Sequence, residues 1–327
     1  MAALMVYGAT GYTGRMTAEY AVAAGSEVIL GGRDEARVAA LAAELGTGYR
    51  GFGLDEKDRT ADALADIDVL LNCAGPFART AEPLMTAAVR TGTHYLDIAA
   101  ELDSYHLAEA LDEEATAAGV LLLPGSGGSV AMLGCLAGRA AEGMDGIRSI
   151  AIALHIAGGM SRGSAVSAAE GLTTRCLRRV AGELVPHDPE QPRDFDFGAG
   201  PVACFPTTLP DLVTLWRATK APDIGTYVHV SGDAFPEGDP ALLPEGPTAA
   251  ERRRARYQAS VEVAGADGSV VRSVLDTVNG YTFTPMAAAE AARRVLDGEH
   301  RPGFHTPAEL FGNGFVETIA DSRIVTL

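Results

Sequence analysis

The chain has almost no lysine. Of its 26 basic residues only Lys57 and Lys220 are lysines, set against 43 carboxylates for a formal net charge of -17. Such a balance repels nucleic-acid phosphates and anionic membrane surfaces, and no basic stripe offsets it. Lysine is also missing where two kinds of chemistry would need it. Gly14 is followed by Arg15-Met16 rather than by Gly-Lys-Ser/Thr, which excludes a P-loop kinase or ATPase. None of the nine tyrosines has a lysine four residues on, which excludes the Tyr-x-x-x-Lys proton donor of short-chain dehydrogenases. Cysteine is sparse as well. Cys73, Cys135, Cys176 and Cys204 lie far apart, without CxxC or metal-ligand spacing, so reduced thiols, no metal site and a cytoplasmic location are expected. No apolar run approaches the roughly 20 residues of a membrane helix, and no basic-then-apolar export signal opens the chain. HExxH, GxSxG and a Cys-His catalytic pair are absent too.

The 327 residues, 47% of them hydrophobic, suffice for two domains. An apolar run at 4–7 meets Gly8, Gly11 and Gly14, spaced G-x-x-G-x-x-G, and a helical pattern follows from Met16 to Ala23. Glycines at a strand-to-helix junction let the backbone approach a pyrophosphate, while the helix N-terminus offers unpaired N–H groups and a favourable dipole. Gly8, Thr10, Gly11, Tyr12, Thr13 and Gly14 are therefore assigned to a dinucleotide. Further strands are predicted at 27–30, 50–54, 69–73, 95–98 and 120–123, several of them continuous apolar runs that suit a parallel sheet covered on both faces. Helices are predicted at 35–45, 81–91 and 107–118. Six strands with intervening helices make a doubly wound, Rossmann-type α/β sheet over residues 1–128 the expected architecture.

The end of the second strand discriminates between nicotinamide cofactors, because an acid there bonds the ribose 2′-OH of NAD and an arginine suits the 2′-phosphate of NADP. Here the strand runs Leu30-Gly31-Gly32-Arg33, with no acid at its tip. Asp34 is placed to cap the next helix, so Arg33, assisted by Arg37, favours NADP(H). Asn72, Ala74, Gly75 and Pro76, at the carboxyl end of the fourth strand, are expected to border the inner half of the dinucleotide, and Asp55 its adenine side. Ordinary packing is the other reading of Pro76-Phe77. Cys73 reads as a small buried residue.

After residues 125–128 (GSGG) the alternation stops. Helices at 130–141 and 164–177, a strand at 150–156, an exposed connection at 186–200 and antiparallel strands at 225–230, 257–263 and 270–281 predict a second, mostly antiparallel α+β domain over 129–284. A helix from Pro285 to Leu296 is expected to carry residues 285–327 back to the first domain. A homodimer through the second domain is compatible with this layout.

Several stretches together resemble the saccharopine dehydrogenase-like oxidoreductases, including the bacterial trans-acting enoyl reductases. They are residues 7–15 (YGATGYTGR), 32–34 (GRD), 71–77 (LNCAGPF), 92–101 (GTHYLDIAAE), 280–296 and 303–308 (GFHTPA). The midsection at 159–164 and 170–172 looks like a shorter branch of that family. The resemblance implies an NADP-binding Rossmann domain followed by an α+β domain, with hydride transfer to C=N or conjugated C=C. It departs at one turn: members often carry Gly-Phe-Asp after the sixth strand, where this chain has Gly127 and Gly128 at the aromatic and acidic positions.

Hydride transfer asks the protein for geometry, a closed site and a proton donor. Tyr95 and Asp97 share a strand face and Glu101 lies just past its carboxyl end, so these three are candidates; the alternative is that Asp97 and Glu101 anchor backbone. Arg162, in the turn at 158–164, precedes a helix that could hold a pyrophosphate or a substrate carboxylate, unless Ser161 or Ser164 merely caps that helix. His94 reads as structural, whereas His155 and His229 either line a pocket or sit in the core. The expected function is an NADPH-dependent oxidoreductase that reduces a C=N, or a conjugated C=C or C=O, of a small-molecule substrate. A non-catalytic NADP-binding sensor or scaffold is the alternative.

Overall fold

A computed structural model describes residues 3–171, 175–232 and 243–327. The chain forms two compact units, Met1–Gly128 with Thr284–Thr306 and Ser129–Phe283 with Pro307–Leu327.

The first unit alternates strand and helix: β1 (Ala3–Tyr7), α1 (Tyr12–Ala23), β2 (Glu27–Gly32), α2 (Glu35–Leu45), β3 (Gly48–Gly51), α3 (Lys57–Leu64), β4 (Val69–Asn72), α4 (Phe77–Thr91), β5 (His94–Asp97), α5 (Leu102–Ala110), α6 (Asp112–Ala118) and β6 (Leu121–Leu123). All six strands are parallel, in the order β3-β2-β1-β4-β5-β6. The sequence explains the centre of this sheet. β1, β4 and β6 are buried along their whole length because helices cover both faces, and alternation would have placed polar groups under one of them. Each fully buried Leu, Met or Val contributes roughly 1.5–3 kcal/mol. Helix ends follow local chemistry too: Asp34 caps α2 by accepting the Arg37 N–H at 3.1 Å, and Gly46, Gly92 and Gly119 end α2, α4 and α6 in the left-handed region. The predicted helix at 107–118 is two helices, α5 and α6, meeting at Leu111, and α4 starts behind Pro76, earlier than expected, with Pro83 inside it.

The second unit contains α7 (Ser129–Ala140), β7 (Ile147–Ala157), α8 (Arg162–Gly171), β8 (Leu177–Val180), β9 (Glu183–Pro186), β10 (Arg193–Asp196), β11 (Pro201–Pro206), α9 (Asp211–Thr219), β12 (Asp223–Ser231), α10 (Ala249–Arg254), β13 (Tyr257–Gly265) and β14 (Val270–Thr277). α11 (Gly280–Leu296) then leads back to the first unit, where β15 (Gly303–Phe304) pairs parallel with β6 as a seventh strand. α12 (Pro307–Phe311) and β16 (Arg323–Thr326) follow. Residues 307–327 thus belong to the second unit, whereas all of 285–327 was expected to return to the first.

The second sheet runs β10-β11-β12-β7-β13-β14-β16 and is mixed, since β12 and β7 are parallel. On β7, Ile150, Ile152 and Leu154 alternate with Ala151 and Ala153, and all five are buried. The alanine face is covered by Phe195, Phe197, Cys204 and Tyr227. The expected exposed connection at 186–200 therefore contains a strand, β10, with Phe195 packed inward. The predicted helix at 164–177 begins at Arg162; residues 172–174 lie outside the described residues, and Leu177 starts β8. No helix among the described residues is long and apolar enough to cross a membrane.

His94 is structural. Its Nδ1 accepts the Leu121 N–H at 3.0 Å, tying β5 to β6, and its ring lies 4.1 Å from that of His300. Burial, with His300 beside it, depresses the His94 pKa to about 4. An unfolded histidine takes its proton near 6.5, so stability linked to His94 is present above pH 6.5 and is lost as pH falls toward 4. We predict that His94→Gln, which keeps an acceptor but does not titrate, flattens the fall of Tm between pH 6.5 and 4.5.

Candidate functional site

The carboxyl edge of the parallel sheet gathers the glycine turn, the end of β2 and the turns after β4, β5 and β6. Gly8 adopts φ +79, open to glycine at little cost, and a Cβ there would meet Ala74 at 2.8 Å. A Cβ on Gly14 would strike the Gly8 carbonyl, so α1 starts hard against the turn. Gly11 is exposed and caps α1 without a side-chain hydrogen bond, which leaves the first-turn N–H groups for an anion. Thr10, Tyr12 and Thr13 are half-buried around it.

Arg33 follows β2, is exposed, and has no hydrogen bond or ion pair among the described residues. It acts electrostatically on Tyr7, as does Asp55, so both lie at the tip of β1. Tyr7 donates to the Phe52 carbonyl at 3.2 Å, and burial raises its pKa to about 12. Arg37 donates to the Thr10 carbonyl at 3.4 Å and thereby touches the glycine turn itself. A free guanidinium with no carboxylate at the strand tip fits a 2′-phosphate.

The inner half of the edge is held by a buried network. Asn72 donates through Nδ2 to Thr80 Oγ1 (3.1 Å) and to the Tyr95 oxygen (3.2 Å), and its Oδ1 accepts the Ala74 N–H at 2.9 Å. The Tyr95 hydroxyl donates to Asp97 Oδ2 at 2.9 Å. Asp97 Oδ1 accepts the N–H groups of Ala99 (2.9 Å) and Gly125 (2.8 Å), and Ser126 donates to the Asp97 carbonyl. Three strand ends are thereby joined. Burial pushes the Asp97 carboxyl up to about 6, with the two N–H groups and the Tyr95 hydroxyl holding it down, while burial drives Tyr95 well above its ordinary value.

Tyr95, Asp97 and Asn72 are fully buried. Their polar atoms are occupied within the network, and Asp97 holds backbone N–H groups, as the anchoring alternative had it. Ala74 and Pro76 are half-buried and Gly75 is exposed at the end of β4, with the Gly75-Pro76 bond cis. Cys73 is buried, its thiol pushed up to about 12 by burial. Glu101 precedes α5, and its Oε2 accepts the Ala100 N–H at 3.0 Å. Its Oε1 is buried without a hydrogen-bond partner, as is the Ser104 hydroxyl one turn on. Ser104 carried no signal in the sequence, because serine in a first helical turn is ordinary. Gly127 is held to glycine by its surroundings: a Cβ there would run into the Thr284 carbonyl of α11.

Arg162 belongs to the second unit. It is exposed, 3.8 Å from Glu245, and the α8 N-terminus is capped by Ser161 Oγ accepting the Ser164 N–H. No cluster of three or more metal-ligating side chains occurs among the described residues.

Residues 4–123, within the first unit, match the family model of the saccharopine dehydrogenase NADP-binding domain. A trans-acting enoyl reductase of Mycobacterium leprae is 36% identical over 106 residues, 30% of this chain and 25% of that protein. A putative trans-acting enoyl reductase of Mycobacterium tuberculosis is 33% identical over 117 residues, 32% of this chain and 28% of that protein. The chain thus matches about a quarter of the length of these curated relatives. Apo saccharopine dehydrogenase (L-Glu forming) from Saccharomyces cerevisiae shares the fold, with a TM-score of 0.63 over 99% of this chain and 100% of that one at 14% identity.

Two predictions follow from the edge. Arg33→Ala should weaken NADPH binding by about 2 kcal/mol, roughly thirtyfold, and leave NADH affinity unaltered in calorimetric titrations. Asp97→Ala should strand two buried N–H donors at about 1–3 kcal/mol each. Hydrogen exchange at the Ala99 and Gly125 amides should then accelerate more than about tenfold, while β7 amides keep their protection.

Proposed function

We propose that this chain, built on a saccharopine dehydrogenase-type NADP-binding domain, is an NADPH-dependent oxidoreductase that reduces a C=N, or a conjugated C=C or C=O, of a small organic substrate. The observation that carries this reading is Arg33 at the tip of β2, exposed and making no ion pair among the described residues, on the same sheet edge as the uncapped α1 N-terminus. NADPH, when bound, supplies the hydride. The chain contributes the rest: first-turn amides of α1 for the pyrophosphate, Arg33 for the 2′-phosphate, and Ala74, Gly75 and Pro76 as a low wall along the ribose side.

The Asn72–Tyr95–Asp97 network fixes the turns after β4, β5 and β6, so that substrate atoms would meet a preformed edge. Glu101 Oε1 is a buried acidic oxygen that no protein donor occupies among the described residues. It lies past the carboxyl end of β5, the position in an open α/β sheet where ligands bind. We assign Glu101 to the substrate, as acceptor of a substrate N–H or O–H. The names of the matched relatives favour an enoyl C=C, while the family resemblance also covers C=N.

The test is NADPH consumption against a panel of cyclic imines, enoyl thioesters and carbonyls. Turnover of one class is expected, with Glu101→Gln lowering kcat/KM by on the order of a hundredfold and leaving the NADPH Kd within about twofold. Tight NADPH binding with no turnover across the panel would instead establish a cofactor-binding sensor.

A further inference from the structure

Within the second unit, one face of the sheet carries a polar row across four strands. His229 of β12 is the register partner of His155 of β7, Gln258 of β13 lies opposite His155, and Asp276 of β14 lies opposite Gln258. The hydrogen-bond directions along this row can be read from its charged end. Arg256 Nε holds Asp276 Oδ1 at 2.8 Å. An ionised carboxylate only accepts, so Gln258 turns its amide nitrogen toward Asp276 Oδ2 (3.2 Å) and its oxygen toward His155 Nδ1, at a long 3.4 Å. A neutral His155 therefore carries its proton on Nδ1 and presents the Nε2 lone pair to the Ser231 hydroxyl, 2.8 Å away.

Burial lowers the His155 pKa from the ordinary 6.5; the Gln258 hydrogen bond works against that shift, and His229, with ring centroids 4.9 Å apart, adds to it. His229 is itself anchored, its Nδ1 donating to the Ala203 carbonyl at 3.0 Å. Ser231 ends β12, and Gly158 after β7 donates to its carbonyl at 3.2 Å. The Phe197 ring, 5.6 Å from His155, joins Tyr227 and Cys204 in an apolar patch beside the imidazole. A hydroxyl bonded to the unprotonated nitrogen of a histidine, whose other nitrogen is oriented by a third side chain, is the arrangement that activates a serine.

We propose that Ser231 is a nucleophilic hydroxyl, with His155 as its base and Gln258 as the residue orienting that base, and that it accepts an acyl or phosphonyl group from a small activated ester. The activity is independent of nicotinamide chemistry. In the step, a bond forms from Ser231 Oγ to the carbonyl carbon or to phosphorus while the hydroxyl proton passes to His155 Nε2. The bond to the leaving group breaks, the leaving group departs with that electron pair, and His155 returns the proton to it. With a fluorophosphonate the broken bond is P–F and the leaving group is fluoride.

The experiment exposes the full chain to a fluorophosphonate and maps adducts by mass spectrometry. A single adduct on Ser231 is expected, absent in Ser231→Ala, slowed on the order of a hundredfold in His155→Gln and slowed measurably in Gln258→Leu. NADPH affinity serves as the independent control for folding of the first unit. Should His155→Gln fail to fold, the wild-type rate decides: it should level off as pH rises past an apparent pKa below 6.5. No adduct, an adduct elsewhere, a Ser231 adduct indifferent to His155, or a rate still climbing tenfold per pH unit at pH 9 would overturn the proposal.

Discussion

Asp97 accepts two backbone N–H groups and one phenolic proton in the interior of the nucleotide unit, and the turns along the inner half of the binding edge take their positions from those three bonds. The residue type is dictated by the geometry. The turn after β5 supplies the Ala99 N–H and the turn after β6 the Gly125 N–H, both buried donors that need an acceptor and nothing else. An ionised carboxyl is acceptor-only, and a buried donor left without a partner costs more than a satisfied one contributes. Tyr95 completes the set and passes the constraint through Asn72 to the turn after β4.

The two halves of the edge are thus built on different principles. The outer half, from the glycine turn to Arg33, leaves groups unsatisfied: first-turn amides at Gly11 and a guanidinium that makes no ion pair among the described residues. The inner half leaves almost nothing unsatisfied, apart from Glu101 Oε1 and the Ser104 hydroxyl. A dinucleotide brings its charge to the outer half and its reactive end to the inner half, so an open electrostatic cradle beside a rigid edge is the arrangement that cofactor would require. The second unit holds its own polar row by a similar logic, in which the Arg256–Asp276 pair sets the orientation of Gln258 and hence the tautomer of His155.

Much of the first unit was legible in order along the chain. Runs such as Leu4-Met5-Val6 and Leu121-Leu122-Leu123 suited strands buried on both faces, and Gly119 could be read as a helix end. Asp34 as the α2 cap, which removed the one acid competing with Arg33, was a local matter as well. The second unit was harder. The segment 186–200 looks like a loop by its proline, aspartate and glycine content, yet Phe195 and Phe197 cover an alanine face that belongs to another part of the chain. Residues 57–64 and 211–219 form helices of only 8 and 9 residues, too short to stand out along the chain, and the parallel pairing of β7 with β12 left no trace in either strand.

The sequence by itself determined the cofactor-binding half, because its signals are contiguous: a strand, three glycines, a helix, and an arginine at the next strand's tip. It also placed Tyr95 and Asp97 on one face of one strand. Only the tertiary structure decided what they do there. Whether a carboxylate works on a substrate or holds backbone depends on which amides the fold brings to it, and Gly125 reaches Asp97 from 28 residues away. The same holds for Gly127, whose missing side chain reads as a departure from the family pattern until the carbonyl of Thr284, far along the chain, is found where that side chain would be.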